Sequence, residues 1–148
     1  MDLCLDCGLC CDGTLFSSVD VAPGEAEGLP VVAEGRKLKV LQPCPAHDGR
    51  CSVYADRPRS CREFSCVPLD AVESGAMTLA EATGLLRRAK AQSVSVRARL
   101  RGEGPLWRVV EGRIRSPEWR RTHADLLLDI ALLRELLRRI HPVPPKGS

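Results

Sequence analysis

Eight cysteines stand at positions 4, 7, 10, 11, 44, 51, 61 and 66 of this 148-residue chain, and none follows. Thiols in such numbers can be cross-linked, hold metal or react. Cross-links suit the spacing poorly, because adjacent residues such as Cys10-Cys11 rarely reach disulfide geometry without strain. A C-x-x-C turn lets two thiolates converge on one ion, since the intervening backbone curls and its N–H groups point at the sulfurs. Two such pairs make a closed tetrahedral zinc site. Three cysteines in C-x-x-C-x-x-C, as in Cys4, Cys7 and Cys10, form the binding loop of a [4Fe–4S] cluster. Its fourth ligand often comes from a remote cysteine followed by proline, a role that Cys44-Pro45 fits. Eight thiols also suffice for two Cys4 sites. The thiols are therefore read as metal-binding, though one cluster need not use them all. An iron–sulfur cluster is favoured over Zn2+.

Charge agrees with either metal, because four thiolates around Zn2+ or a [4Fe–4S]2+ core leave a net charge of about −2. Arg57, Arg59 and Arg62 flank Cys61 and are candidates to hydrogen-bond sulfur and offset that charge. A solvated surface is the competing reading for all three. His47, three residues after Cys44, is a candidate replacement ligand. His123 and His141 fall in a helical stretch and are not expected to ligate.

Residues 4–11 (Cys-Leu-Asp-Cys-Gly-Leu-Cys-Cys), with Cys44-Pro45, Cys51-Ser52-Val53-Tyr54, Arg57-Pro58, Cys61-Arg62 and Phe64-Ser65-Cys66, resemble the YkgJ-type cysteine-cluster family. That family carries the C-x-x-C-x-x-C-C signature and is described as a zinc- or iron-chelating domain. The intervening Asp20-Val21-Ala22-Pro23-Gly24-Glu25-Ala26 is similar to its short helix start. The resemblance spans residues 4–66 and implies that all eight cysteines are ligands. One relative is a flagellin lysine N-methylase, so an iron–sulfur redox component or enzyme subunit of a methylase-like system is the alternative function. Nothing beyond the cysteine motif carries that activity here.

The elements that must position these thiols are uneven along the chain. Residues 1–69 hold seven Lys/Arg against ten Asp/Glu, and residues 70–148 fifteen against nine, giving −3 and +6. The acidic front reads as mostly loop, punctuated by Pro43, Pro45, Pro58 and Pro68. Pro23 to Glu27 suggests one short helix, and Lys37 to Gln42 alternates as a strand would. So few large apolar residues cannot offset the ordering entropy of about 1–2 kcal/mol per residue. Metal is expected to hold this part together.

The back reads as helical. Thr78-Leu79-Ala80-Glu81 matches a capping box, and the apolar spacing then predicts helix to about Ser93. Val94 to Arg101 satisfies helical and alternating patterns alike. Gly102 to Pro105 is a turn. Ser116-Pro117-Glu118 starts a second helix. Trp119, His123, Leu126, Ile130, Leu133, Leu137 and Ile140 form an unbroken seam to about His141, widened by Leu127, Leu128, Leu132 and Leu136. Pro144 to Ser148 reads as a frayed tail. The expected architecture is mainly α with little β: a loop-rich, metal-stabilised cysteine module over 1–69 and a basic helical extension over 70–148. The extension is expected to pack on the module, with one integrated domain as the alternative.

Composition narrows the remaining function classes. No apolar run approaches the ~18 residues of a membrane helix. The start, Met1-Asp2-Leu3-Cys4, lacks the basic and apolar stretches of a secretory signal. A cytoplasmic protein is expected. P-loop, G-x-G-x-x-G, G-x-S-x-G and H-E-x-x-H motifs are missing, which leans against an enzyme. The arginine-rich back admits a zinc-stabilised nucleic-acid-binding module as a second alternative, disfavoured by the scarcity of stacking aromatics. The 117–141 helix offers a seam for a protein partner or a homodimer as well as for intrachain packing.

Overall fold

A computed structural model describes residues 2–142. Among them are seven α-helices and two small antiparallel sheets, so the protein is mainly α with little β. The front is built of α1 (Leu3–Cys7), β1 (Ser18–Val21), β2 (Val32–Glu34), β3 (Lys37–Leu41), β4 (His47–Asp48) and β5 (Arg50–Cys51). A 3₁₀ turn over Tyr54–Asp56, then α2 (Arg59–Glu63) and α3 (Val67–Glu73), complete it. The back consists of α4 (Leu79–Leu100), α5 (Leu106–Ile114), α6 (Pro117–Thr122) and α7 (Ala124–Ile140).

Strand β3 is central in the larger sheet, with Val19 opposite Val40 on one side and Ala33 opposite Leu38 on the other. The alternation that predicts a strand from Lys37 is thus realised, and Val40 supplies its buried side chain. The expected helix at Pro23 to Glu27 is a turn instead. Gly24, Ala26 and Gly28 all take positive φ, which a right-handed helix cannot continue through. The Glu25 carboxylate accepts from Ala22 N and from Arg59 N, tying this turn to α2.

Helix α4 begins at the Thr78–Glu81 capping box and runs past Ser93 to Leu100. Burial of Val96 and Leu100, one face on from Ala89 and Ser93, decides the ambiguous segment in favour of helix. It packs along α7, and α3 packs on both. The stretch expected to be one helix from Pro117 to about His141 is two. His123, at φ −127° and ψ 37°, breaks it. Thr122 Oγ1 donates to the carbonyls of Glu118 and Trp119, and His123 Nδ1 lies 2.9 Å from the Trp119 oxygen. Side chains there occupy carbonyls that a continuing helix would use. Beyond the break the seam holds: Leu126, Ile130, Leu133, Leu137 and Ile140 are buried, while Leu128 and Leu132 face outward. The tail from Pro144 lies outside the described residues.

One hydrophobic cluster crosses the residue-69 boundary. Leu3, Leu9 and Leu15 from the front join Leu85, Leu86, Val96, Leu106, Trp107 and Val110 with the buried face of α7. Two buried bonds fasten the same junction: Thr14 Oγ1 to Ser93 Oγ at 2.6 Å, and Trp107 Nε1 donating to Thr14 O at 2.9 Å.

Candidate metal centre

The segment that carries four of the eight thiols is shaped by local hydrogen bonds. The Asp2 carboxylate caps α1 by accepting from Cys4 N and Leu5 N, and Tyr54 Oη donates to its other oxygen. Cys4 and Cys7 then stand near one another on a single helical turn. Gly8 ends the helix at φ 67°, and Cys11 N and Asp12 N both donate to its carbonyl, curling Cys10 and Cys11 back over α1. A Cβ at Gly8 would stand 2.5 Å from His47 Nε2, so glycine serves this turn twice. Leu9, at 0% exposure, plugs the loop into the core between the thiols.

Other elements bring the remaining four. Cys44 N donates to Cys11 O at 2.7 Å, and the β4–β5 hairpin sets Cys51 opposite His47. Helix α2 presents Cys61 and is held by Ser60 Oγ donating to Asp20 O. Cys66 is the N-cap of α3. From α4, Lys90 Nζ reaches Asp12 Oδ2 at 2.6 Å and Arg97 donates to Asp12 O, clamping the cysteine loop from behind.

All eight cysteines are unbridged, and all eight line one cavity of ≈ 440 Å³. Apart from the sulfurs its wall is largely apolar, from Leu3, Leu15, Phe16, Val40, Phe64 and Ile140 among others. Burial raises the thiols of Cys4, Cys7, Cys10, Cys11, Cys44, Cys61 and Cys66, that of Cys7 to about 11 and that of Cys11 to about 12. Charge on one sulfur disfavours charge on its neighbours. Cys66 acts on Cys4 and on Cys7, and Cys10 feels Cys7, Cys11, Cys66 and Cys4. Cys11 feels Cys44, Cys51 and Cys61, while Cys61 in turn feels Cys44 and Cys51. Cys66 thus neighbours the C-x-x-C-x-x-C loop, and the backbone of Cys44 is bonded to that of Cys11.

Backbone donors are aimed at sulfur before any metal arrives. The N–H groups of Leu9, Ala46 and Leu69 bond to the thiols of Cys7, Cys44 and Cys66 and favour their ionised forms. The buried Nε–H of Arg57 on the cavity wall has no acceptor among the described residues. Donors pointed at sulfur, in an apolar-walled pocket where burial raises most of the thiols, fit a thiophilic metal ion or cluster. Among the described residues no three His, Cys, Asp or Glu side chains are yet close enough to hold one ion.

Of the arginines beside Cys61, Arg57 lines the cavity, Arg59 pairs with Glu63 at 2.6 Å on the surface, and Arg62 is exposed. His47 sits over Gly8 with Nε2 buried and, among the described residues, unpartnered. His123 stacks on Trp119, and His141 packs edge-on against Phe16 and Phe64. Sequence reasoning missed Tyr54, Lys90 and Asp12. Tyr54 stands three residues before Arg57, but Lys90 reaches Asp12 across 78 positions, which no local pattern reveals.

Residues 3–88 match the family model CxxCxxCC, whose description is "Putative zinc- or iron-chelating domain". No curated protein and no solved structure matches the chain.

Proposed function

This chain belongs to the CxxCxxCC zinc- or iron-chelating family, and on that premise we propose that it is an iron–sulfur protein with two four-thiol centres. Cys4, Cys7, Cys10 and Cys66 hold one, in the spacing of a [4Fe–4S] binding loop. Cys11, Cys44, Cys51 and Cys61 hold the other. The observation that carries this reading is the single cavity lined by all eight thiols. Four sulfurs around one zinc at about 2.3 Å stand only about 3.8 Å apart. A cluster bridged by inorganic sulfide spans a wider ring of thiols, which suits an open pocket of ≈ 440 Å³.

The protein's own part is to gather, deprotonate and shield the ligands. Loading displaces the thiol protons that burial retains, the N–H groups of Leu9, Ala46 and Leu69 stabilise the thiolates, and the apolar wall limits their contact with water. A bound cluster supplies one-electron transfer. Protein purified anaerobically should be brown and contain iron and acid-labile sulfide in equal amounts. Colourless protein carrying two zinc ions per chain overturns the cluster and establishes the second reading. That reading is favoured by the number of thiols, eight being twice the ligand count of a closed structural zinc site.

A further inference from the structure

We propose that the outer face of the α4–α7 pair is a docking groove for an acidic amphipathic helix of a partner protein. The inference stands apart from the metal reading, since neither Leu128 nor Leu132 lines the thiol cavity.

The two helices run antiparallel, with Arg99 meeting Asp125 at one end and Arg88 sharing a hollow with Arg139 at the other. They are laced along one edge: Gln92 Nε2 donates to Asp129 O at 3.1 Å, and Arg99 bonds the Asp129 carboxylate at 2.6 Å. Ala89, Ser93 and Val96 of α4, with Ile130, Leu133 and Leu137 of α7, turn to the core side of that edge. At about 100° per residue the other side takes Ala91, Ser95 and Ala98 from α4, and Leu128 and Leu132 from α7. All five are exposed, Leu128 at 73% and Leu132 at 51%. A row of small side chains thus lies beside a row of leucines, which makes a shallow groove with one raised wall.

The charge around this groove is one-sided. It opens at one end into a hollow of ≈ 490 Å³ lined by Gly84, Arg88 and Arg139. Neither arginine has a carboxylate partner among the described residues. The acids of the face are already engaged: Asp125 and Asp129 with Arg99, Glu135 with Arg138, and Glu81 with Thr78. Exposed leucines rimmed by free cations fit a helix that carries apolar side chains between carboxylates. A second copy of this face would bring only the same free cations and no free carboxylate to meet them. A lipid surface takes up a protruding apolar ridge, whereas the small residues of α4 leave room for another backbone to come close.

The test uses the full chain as purified and a fluorescein-labelled synthetic peptide of about four helical turns. The peptide carries leucines spaced alternately four and three apart, glutamates flanking them and alanine elsewhere. Fluorescence anisotropy should show saturable binding of one peptide per chain, weakening as salt rises. Leu128→Glu should weaken it about 10-fold or more, the value of one leucine's burial. Arg88→Glu combined with Arg139→Glu should weaken it about 3- to 10-fold. A lysine-for-glutamate peptide should fail on wild type and bind the doubly reversed variant, a rescue that a misfolded variant could not give. A glutamate peptide that does not bind, or a lysine peptide that binds wild type equally well, overturns the proposal. So does a reversible dimer in sedimentation equilibrium that Leu128→Glu abolishes, which would give the face to a second copy. Co-flotation with phosphatidylglycerol vesicles, lost in Leu128→Glu, would overturn it in favour of lipid.

Discussion

Removing the hydroxyl of Thr14 tests whether the cysteine loop and the helical back fold as one unit. Thr14 lies three residues past Cys11, and Ser93 sits in the middle of α4. Both are at 0% exposure, and their hydroxyls are 2.6 Å apart. Thr14→Val keeps the shape and leaves Ser93 without its partner. Stranding a buried hydroxyl costs about 1–3 kcal/mol. A serine within a helix can turn to the carbonyl four residues back, here Ala89, so Thr14→Val should fall at the low end, near 1 kcal/mol. Ser93→Ala strands the Thr14 hydroxyl in a loop with no such carbonyl and belongs nearer 3 kcal/mol. The double variant removes both polar groups at once. It should cost less than the sum of the singles, with a coupling of about 0.5–3 kcal/mol. Urea unfolding followed by far-ultraviolet circular dichroism, with the slope held common, reads all three. Single costs that add within about 0.3–0.5 kcal/mol would refute the reasoning, because the hydroxyls would then act independently.

Gly8→Ala should destabilise by about 1–2 kcal/mol from its left-handed φ alone. The further cost of the clash with His47 should vanish in the His47→Ala background, as thermal melts of the four proteins would reveal. Leu9→Ala, emptying a site at 0% exposure, should cost about 2–5 kcal/mol, with metal affinity falling alongside; a chelator competition titration measures the second effect. Metal-free protein should lose stability as pH rises above 9. The unfolded thiols ionise near their ordinary 9.0 while Cys7 and Cys11 wait until about 11 and 12. The unfolded state thus releases protons first, and the contribution is complete below pH 9. Urea midpoints at pH 8 and pH 10.5 check the sign. Chelation should lower hydrogen-exchange protection across residues 3–66 more than in α4 and α7 without abolishing it, and unchanged protection in the cysteine segment would contradict a metal-stabilised fold there.

Where local chemistry sets the outcome, the sequence is readable. Eight cysteines in tight spacing, the Thr78–Glu81 box and the alternation at Lys37 each carry their own physical reason and reappear in the structure. What depends on tertiary partners does not show in the chain. That Cys66 neighbours the C-x-x-C-x-x-C loop, and that the Cys44 backbone is bonded to Cys11, cannot be read from spacing. The seam from Trp119 to Ile140 reads as continuous because apolar spacing is blind to the hydrogen bonds of Thr122 and His123. Helix α5 is missed because its buried residues, Leu106, Trp107 and Val110, make too short a pattern beside Gly102 to Pro105. Its start is fixed by Leu106 N donating to Gly13 O, 93 positions away. Front and back carry opposite charge and different composition, yet Leu3, Leu9 and Leu15 place the cysteine loop in the core of the helices.

X-ray absorption at the edge of the bound metal tests the central claim most directly. Anaerobically purified protein should give a first coordination sphere of four sulfurs at about 2.3 Å, with iron–iron scattering where a cluster is present. A sphere dominated by nitrogen or oxygen would contradict chelation by the eight thiols.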